Sequence, residues 1–133
     1  MITINKASVN TVVLTLTEKV TLSAPYYFLF SFTSQTTFDT VNFIAADTSL
    51  FTDRYNEFSI TETTNPNLLN SQCELNPKGF WNYKIYAQSS STNLVPEDAN
   101  ELIEEGIVKV EWDDLDVNYY DTDATDTNEV YNP

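Results

Sequence analysis

The stretch "YYFLFSF" (residues 26–32) decides the fold class, because its side chains alternate between two faces over the length of one strand. One face carries Tyr26, Phe28, Phe30 and Phe32, and the other carries Tyr27, Leu29 and Ser31. Pro25 comes directly before the stretch and restrains Ala24 to an extended conformation. The stretch therefore predicts a central β-strand whose Phe28 and Phe30 lie in the core.

The same alternation extends outward along the chain in five further runs, in which Thr and aromatic residues are common, as they are on half-buried sheets. These runs are "MITIN" (1–5), "TVVLTLT" (11–17), "DTVNFIAA" (39–46), "YNEFSITE" (55–62) and "GFWNYKIYAQ" (79–88). Turn-forming segments such as "TTNPN" (63–67) and "NPKG" (76–79) separate them. Together with a last run that ends at Trp112, they predict one domain over residues 1–112, an all-β, immunoglobulin-like sandwich of about seven strands.

The segment "VPEDANELIEEGIVKVEW" (95–112) is ambiguous, because Pro96 could begin a short helix and Gly106 could end it. Its second half nevertheless alternates, with Ile107, Lys109 and Glu111 opposed to Val108, Val110 and Trp112. We predict a turn at 96–100 and then a strand in which "EEG" (104–106) forms a bulge, with Gly106 supplying the unusual backbone angle.

The charge of the chain is concentrated in its C-terminal part. The 133 residues include 20 acids and 6 bases, for a net charge of −14. Residues 1–96 hold 7 acids and 5 bases, a balance of −2, whereas residues 97–133 hold 13 acids and Lys109 alone, a balance of −12. Because nucleic-acid binding needs Lys and Arg to displace counterions from the phosphates, we expect no nucleic-acid partner.

Cysteine content and hydropathy indicate where the chain folds. Cys73 is the single cysteine, so an intrachain disulfide is excluded and a reducing cytoplasm is the expected site of folding. The start "MITINKASVN" has no apolar region of the kind found in export signals, and no apolar run reaches about 18 residues. We therefore expect no export signal, no membrane span and no membrane partner.

Residues that could carry chemistry are few. The absence of histidine removes the commonest acid–base residue, so Cys73 has no histidine to act as its base and is expected to be a small loop or core thiol. Glu104 and Glu105 resemble a glycosidase pair, but adjacent residues of a strand point to opposite faces. Asp113 and Asp114 are read in the same way. We predict no enzyme activity, no catalytic residues, no cofactor and no metal site.

Two further patterns allow an alternative reading. Trp81 or Tyr83 could stack on sugar rings if they were exposed, although packing in the core or at an interface is the commoner fate of such residues. The acidic stretch "DTDATDTNE" (121–129) is spaced like a calcium loop, but it lacks the glycine at the sixth position and the carboxylate at the twelfth. We read it as part of an acidic tail.

The last stretch, "DDLDVNYYDTDATDTNEVYNP" (113–133), holds seven acids and no base. Its composition predicts disorder in the free protein, because same-sign charge is high and aliphatic residues are few. We interpret it as an assembly arm that becomes ordered on a partner. Tyr119, Tyr120 and Tyr131 would be its partner-contact anchors, the acids would face a basic surface, and part of the arm would add to a sheet edge of the partner.

Several of these stretches together resemble a known family. They are "VNTVVLTLTEKVTLSAPYYFLFSFTS" (9–34), "VNFIAADTS" (41–49), "DRYNEFSITE" (53–62), "FWNYKIYAQSSSTNL" (80–94) and "LIEEGIVKVEW" (102–112). The most specific parts are "RYNEF" (54–58) and the succession from "YKIY" (83–86) to the E-x-G-x-x-x-V pattern that ends at Val110. Over about residues 1–112 the chain resembles the small β-sandwiches of structural proteins in tailed, especially crAss-like, bacteriophages.

The resemblance implies a non-enzymatic component of the virion that is attached to the capsid or to head fibres. Its implied partners are other virion proteins, capsid or fibre subunits, in a multi-subunit assembly. A tail or collar adaptor is an alternative site in the particle. A soluble carbohydrate-binding module is the alternative from another class, and coplanar exposed aromatics on one sheet face would favour it.

Overall fold

The computed structural model describes residues 1–111, which form two β-sheets in a sandwich-like arrangement. The strands are β1 (Ile2–Asn5), β2 (Val9–Leu14), β3 (Tyr27–Ser34), β4 (Thr40–Ala45), β5 (Asn56–Glu62), β6 (Gln72–Cys73), β7 (Gly79–Gln88) and β8 (Glu101–Glu111). Two 3-10 turns, Thr17–Lys19 and Pro96–Asp98, are the helical elements of the described residues. The predicted all-β class is confirmed.

The strands divide into a five-stranded sheet, in the order β1-β8-β7-β3-β4, and a three-stranded sheet, in the order β2-β5-β6. Each of the seven predicted runs contains or overlaps a strand. The described residues hold eight strands because the two-residue β6, Gln72–Cys73, also pairs with β5. So short a strand has no period that a sequence pattern could show.

The strand predicted from "YYFLFSF" is β3, which pairs on both sides, with β4 and with β7. Phe28 and Phe30 are 4% and 0% exposed, so their predicted place in the core is confirmed. The ring of Phe30 stacks on that of Phe43 at 5.3 Å and meets that of Phe58 edge-on at 5.0 Å. Since Phe58 belongs to β5, these rings pack the two sheets together.

The first and last described strands are neighbours. β1 pairs with β8 in parallel, from Ile2 opposite Val108 to Asn5 opposite Glu111. The main-chain N–H of Lys6 extends the ladder by donating to the carbonyl of Glu111 at 2.8 Å. The chain then turns at Lys6–Ser8 and enters β2 of the other sheet. β1 and β2 are therefore edge strands of different sheets that lie at the same lateral edge of the sandwich.

The predicted bulge is displaced and the role predicted for Gly106 is wrong. The irregularity in the β7–β8 ladder falls opposite Ile85 and Tyr86, between Leu102 and Glu104 on β8. Gly106 does not have a positive φ; a Cβ there would instead lie 2.7 Å from the ring of Tyr83. Close approach of a side chain, and not backbone angle, is what requires glycine. The predicted turn at 96–100 contains the 3-10 turn Pro96–Asp98.

Candidate functional site

The outer edge of β2 is the longest strand edge that the described structure leaves open. β2 pairs with β5 alone, in antiparallel register from Val9 opposite Thr61 to Leu14 opposite Asn56. In such a ladder successive residues bond alternately toward and away from the partner strand. The Glu62 N–H donates to the Ser8 carbonyl at 3.0 Å, so the even-numbered residues of β2 bond toward β5.

The odd-numbered residues of β5 confirm this assignment. The Thr61 N–H donates to Ser71 at 2.9 Å and the Glu57 carbonyl accepts from Thr48 at 2.7 Å, both on the side away from β2. The main-chain N–H and C=O groups of Val9, Thr11 and Val13 therefore point outward from the sheet edge. No hydrogen bond reaches these six groups from any residue of the described part of the chain.

The side chains of the same residues form an exposed, uncharged surface. Val9 is 67% exposed and Val13 is 58% exposed, whereas Val12, on the inner face, is 5% exposed. No charged residue occurs between Ala7 and Thr17. Sheet edges are commonly protected from pairing by charged side chains, proline or bulges. The edge of β2 has none of these and can accept an additional strand.

The other sheet edges are shorter or partly covered. The outer side of β4 is bonded to a loop, since the Ile44 N–H donates to Leu68 at 2.8 Å and the Ser71 N–H donates to Ile44 at 2.9 Å. β6 has two residues and β1 has four, against six in β2. A strand-pairing partner would therefore find its longest template along β2.

A groove of about 240 Å³ runs between the β1 and β2 edges, and Tyr83 contributes to its wall. The Tyr83 hydroxyl donates to Glu104 Oε2 at 2.8 Å, and Lys19 Nζ lies 2.7 Å from Glu104 Oε1. Burial and the bond to Glu104 raise the pKa of Tyr83 above its usual range. The phenol is therefore neutral, and its hydrogen bond to Glu104 holds the ring in place.

Trp81 and Tyr83 are 1% and 6% exposed, so core packing is confirmed and neither side chain is available to stack on a sugar.

A buried ion pair fixes the corner between β1 and β2. Lys6 Nζ lies 3.0 Å from Glu62 Oε2 and donates to the Leu75 carbonyl at 2.7 Å. The Ala7 N–H donates to Glu62 Oε1 at 2.7 Å. Burial alone raises the pKa of Glu62, but hydrogen bonds from the N–H groups of Ala7 and Leu75 and from Lys6 outweigh it, so that pKa lies below its usual value.

The ion pair lines a cavity of about 500 Å³, and sequence reasoning did not find this pair. Lys6 and Glu62 are 56 positions apart, and each occurs singly in its strand or turn. Their polar contacts are satisfied inside the protein, so we read the cluster as a structural one that sets the path by which the chain enters β2.

A polar groove of about 300 Å³ occupies the outer face of the five-stranded sheet. Ser31 lies there between its cross-strand neighbours Asn42 and Lys84. Asn42 Oδ1 is buried without a hydrogen-bond partner among residues 1–111. Tyr86 and Glu97 add an aromatic ring and a carboxylate to the lining. This mixture of donors and acceptors suits a neutral, hydroxyl-rich ligand better than an ion.

Cys73 is fully buried, as expected for a core thiol. Burial, with a smaller contribution from the carboxylate of Glu62, raises the pKa of the thiol to about 12. A thiol with that pKa is protonated at neutral pH and is a poor nucleophile. Its chemistry is that of a small apolar side chain.

The adjacent carboxylates also lie as predicted. Glu104 bonds to Tyr83, whereas Glu105 faces outward opposite Lys84 on β7. Asp113, Asp114 and the three partner-contact tyrosines, Tyr119, Tyr120 and Tyr131, lie outside the described residues, as does the whole predicted arm.

Within residues 1–111, no group of three His, Cys, Asp or Glu side chains is placed to hold a metal ion. No helix in that part of the chain is long and apolar enough to cross a membrane. Comparison with protein-family models, with curated proteins and with solved structures finds no match to this chain.

Proposed function

We propose that this chain is a non-enzymatic structural component of a bacteriophage virion, a capsid-associated auxiliary protein or head-fibre adaptor that acts by binding other virion proteins. The resemblance of residues 1–112 to small β-sandwiches of tailed-phage structural proteins supports this class of particle. The order β8-β7-β3-β4 in one sheet and the β2–β5 pair in the other support an immunoglobulin-like type of sandwich, since they correspond to the G-F-C-C′ order and the B–E pair of immunoglobulin variable domains.

The observation that carries the proposal is the open edge of β2. Three outward-facing main-chain N–H groups and three C=O groups lie beside exposed Val9 and Val13, on a strand with no charge. Such an edge exposes a surface that aggregates unless another polypeptide covers it. The open edge of β2 therefore supports a role in an assembly, in which another protein pairs with this edge.

The proposal is tested on gradient-purified particles from the source of this chain. We expect quantitative mass spectrometry to find the chain at a fixed ratio to the major capsid protein, and immunogold labelling to place it on the head. Labelling at the neck or tail would move it to a collar or tail adaptor. Absence of the chain from intact particles would overturn the proposal.

Carbohydrate binding is a second candidate, and the polar groove around Ser31 and Asn42 is the observation that favours it. An unpartnered buried amide oxygen is costly and is satisfied when a hydroxyl donates to it. Titration of the protein with methyl glycosides of glucose, mannose and galactose tests this. Chemical-shift changes confined to β3, β4 and β7, and abolished by Asn42→Leu but not by Phe80→Ala, would support it, whereas none at saturating sugar would reject it.

A further inference from the structure

We infer that the partner at the open edge is a second copy of this chain, and that the two β2 strands pair in antiparallel register about a two-fold axis at Thr11. The two three-stranded sheets would then form one continuous six-stranded sheet. This inference rests on the proposed function in its biological setting, because a virion component is present in many copies. Its physical basis is the geometry of the edge alone.

The open main-chain groups are self-complementary. Val9, Thr11 and Val13 are spaced evenly about Thr11, so an antiparallel copy places Thr11 opposite Thr11 and Val9 opposite Val13 of the second copy. Each copy supplies three outward N–H groups and three outward C=O groups. All twelve groups find partners, because three N–H donors on each of two copies make six hydrogen bonds. A register shifted by two residues leaves part of them unpaired.

The side chains are also complementary in this register. Across the outer face, one row would read Glu57, Val13, Val9 of the second copy and Thr61 of the second copy. Each exposed valine then lies directly opposite a β-branched residue of the second copy, in a hydrogen-bonded pair of the ladder. The central row is formed by Ser59 and Thr11 of both copies. No row brings together two charges of the same sign.

Charge favours a second copy over other segments of this acidic chain. The chain carries a net charge of −14, yet no charge lies between Ala7 and Thr17. The Glu57 residues of the two copies would be three strand spacings apart across the sheet, about 14 Å, and also four residues apart along the strands, so their separation exceeds the screening length of about 8 Å at physiological ionic strength. By contrast, the stretch 113–133 would bring seven acids to the same edge, two strand spacings from Glu57.

The edge is tested by substitutions at Thr11, measured by sedimentation of the full-length protein over a wide concentration series. Thr11→Pro removes an N–H that bonds to no described residue, and proline is tolerated at an edge strand whose N–H faces outward. Thr11→Lys places two like charges opposite each other. Ser59→Lys is the matched control, since Ser59 is the exposed cross-strand neighbour of Thr11 within one copy.

We expect a dimer for the parent protein and for Ser59→Lys, and a folded monomer for Thr11→Pro and Thr11→Lys by circular dichroism. The register is tested separately by oxidation. Thr11→Cys should form an interchain disulfide, and a mixture of Val9→Cys and Val13→Cys chains should form mixed disulfides, whereas either single variant alone should not. Cys73 is buried and does not interfere.

A parent protein that remains monomeric at all concentrations would overturn the inference, as would a dimer that persists in both Thr11 variants. Disulfides in Val13→Cys alone would show that another register is used and would also overturn it. These results are independent of the proposed function, which depends on the presence of the chain in particles. A monomer found in particles rejects the dimer alone, and a dimer absent from particles rejects the virion role alone.

Discussion

Gly106 on β8 lies against the ring of Tyr83, its cross-strand partner on β7, so closely that a Cβ at Gly106 would be 2.7 Å from the ring carbon Cε2. The ring cannot withdraw freely, because its hydroxyl donates to Glu104 at 2.8 Å and Tyr83 is packed in the core cluster. The contact therefore joins a backbone position of one strand to a fixed side chain of the next.

Gly106→Ala should destabilise the protein by about 1 to 3 kcal/mol, the usual effect of forcing an extra methyl group into a packed site. Urea unfolding of the variant measures this. In a Tyr83→Leu background the same substitution should have a clearly smaller effect, because the ring that it meets is gone. Equal effects in the two backgrounds would contradict the role of the Tyr83 contact.

Phe30→Ala should lower the free energy of unfolding by about 3 to 5 kcal/mol, because it removes a ring that packs on both sheets and leaves a cavity. Phe80→Ala is the matched control: it removes the same ring from the outer face of the same sheet, where it is 48% exposed. Thermal unfolding of both variants suffices. A Phe30 variant that melts within a degree or two of the parent would show that the core face is misassigned.

Loss of either member of the Lys6–Glu62 pair should cost about 3 to 5 kcal/mol, since the remaining charge stays buried without its counter-ion. The pair also predicts a pH dependence. The pKa of Glu62 is depressed in the folded state, so its stabilisation is present above the ordinary value of 4.5 and is lost as the pH falls through the lower, folded value.

The contribution of Glu62 to the loss of stability at low pH is measured by comparing the parent protein with Glu62→Gln. The difference in unfolding free energy between parent and variant should be constant near neutral pH and should shrink below pH 4.5. The other carboxyl groups are common to both proteins and cancel. A difference that is the same at all pH values would mean that Glu62 contributes by packing alone.

Cys73 should react with a water-soluble disulfide reagent only after unfolding. A rise of its pKa from 9.0 to about 12 lowers the thiolate fraction about a thousandfold at a given pH below 9, and burial also blocks access. The native and the urea-unfolded protein are compared by absorbance. Rapid labelling of the native protein would show that β6 opens readily, and Cys73→Ser serves as the blank.

Deletion of residues 113–133 should leave the sandwich folded, with an unchanged melting temperature, and should abolish incorporation of the protein into particles. Replacement of Tyr119, Tyr120 and Tyr131 by Ser in the full chain should reproduce most of that loss, since the expected anchoring is by tyrosine burial. Rising salt should weaken attachment of the parent. If the truncated protein is incorporated at full occupancy, residues 113–133 do not act as an assembly arm.

The alternation of apolar and polar side chains was sufficient to predict most of the strands. The period of "YYFLFSF" identified β3 and its core face, because side-chain direction in a strand depends only on odd and even positions. The same local reasoning predicted the opposite directions of Glu104 and Glu105. It could not predict the order of the strands, which depends on contacts between distant positions.

The candidate site could not be predicted because it depends on the order of the strands in the sheets. The residues of "VNTVVL" look like any half-buried strand, and the open groups of Val9, Thr11 and Val13 become apparent only once β2 is known to lie at an edge. Lys6 and Glu62 were missed for a related reason, since a single charged residue gives no sign that it is buried or of its partner. The prediction of a bulge at Gly106 was wrong because a glycine in a strand can mark either a bulge or a close approach of another group, and the sequence does not distinguish the two.

The parallel pairing of β1 with β8 has a mechanical consequence. Because the two strands run in the same direction, tension applied at the start of β1 and at the end of β8 pulls them in opposite directions along their common axis. The ladder from Ile2 opposite Val108 to Lys6 bonded to Glu111 is then loaded in shear, with all its hydrogen bonds sharing the force at once. A hairpin pulled from its two ends opens instead one bond at a time, so the β1–β8 pair should resist such tension better than a hairpin with the same number of hydrogen bonds.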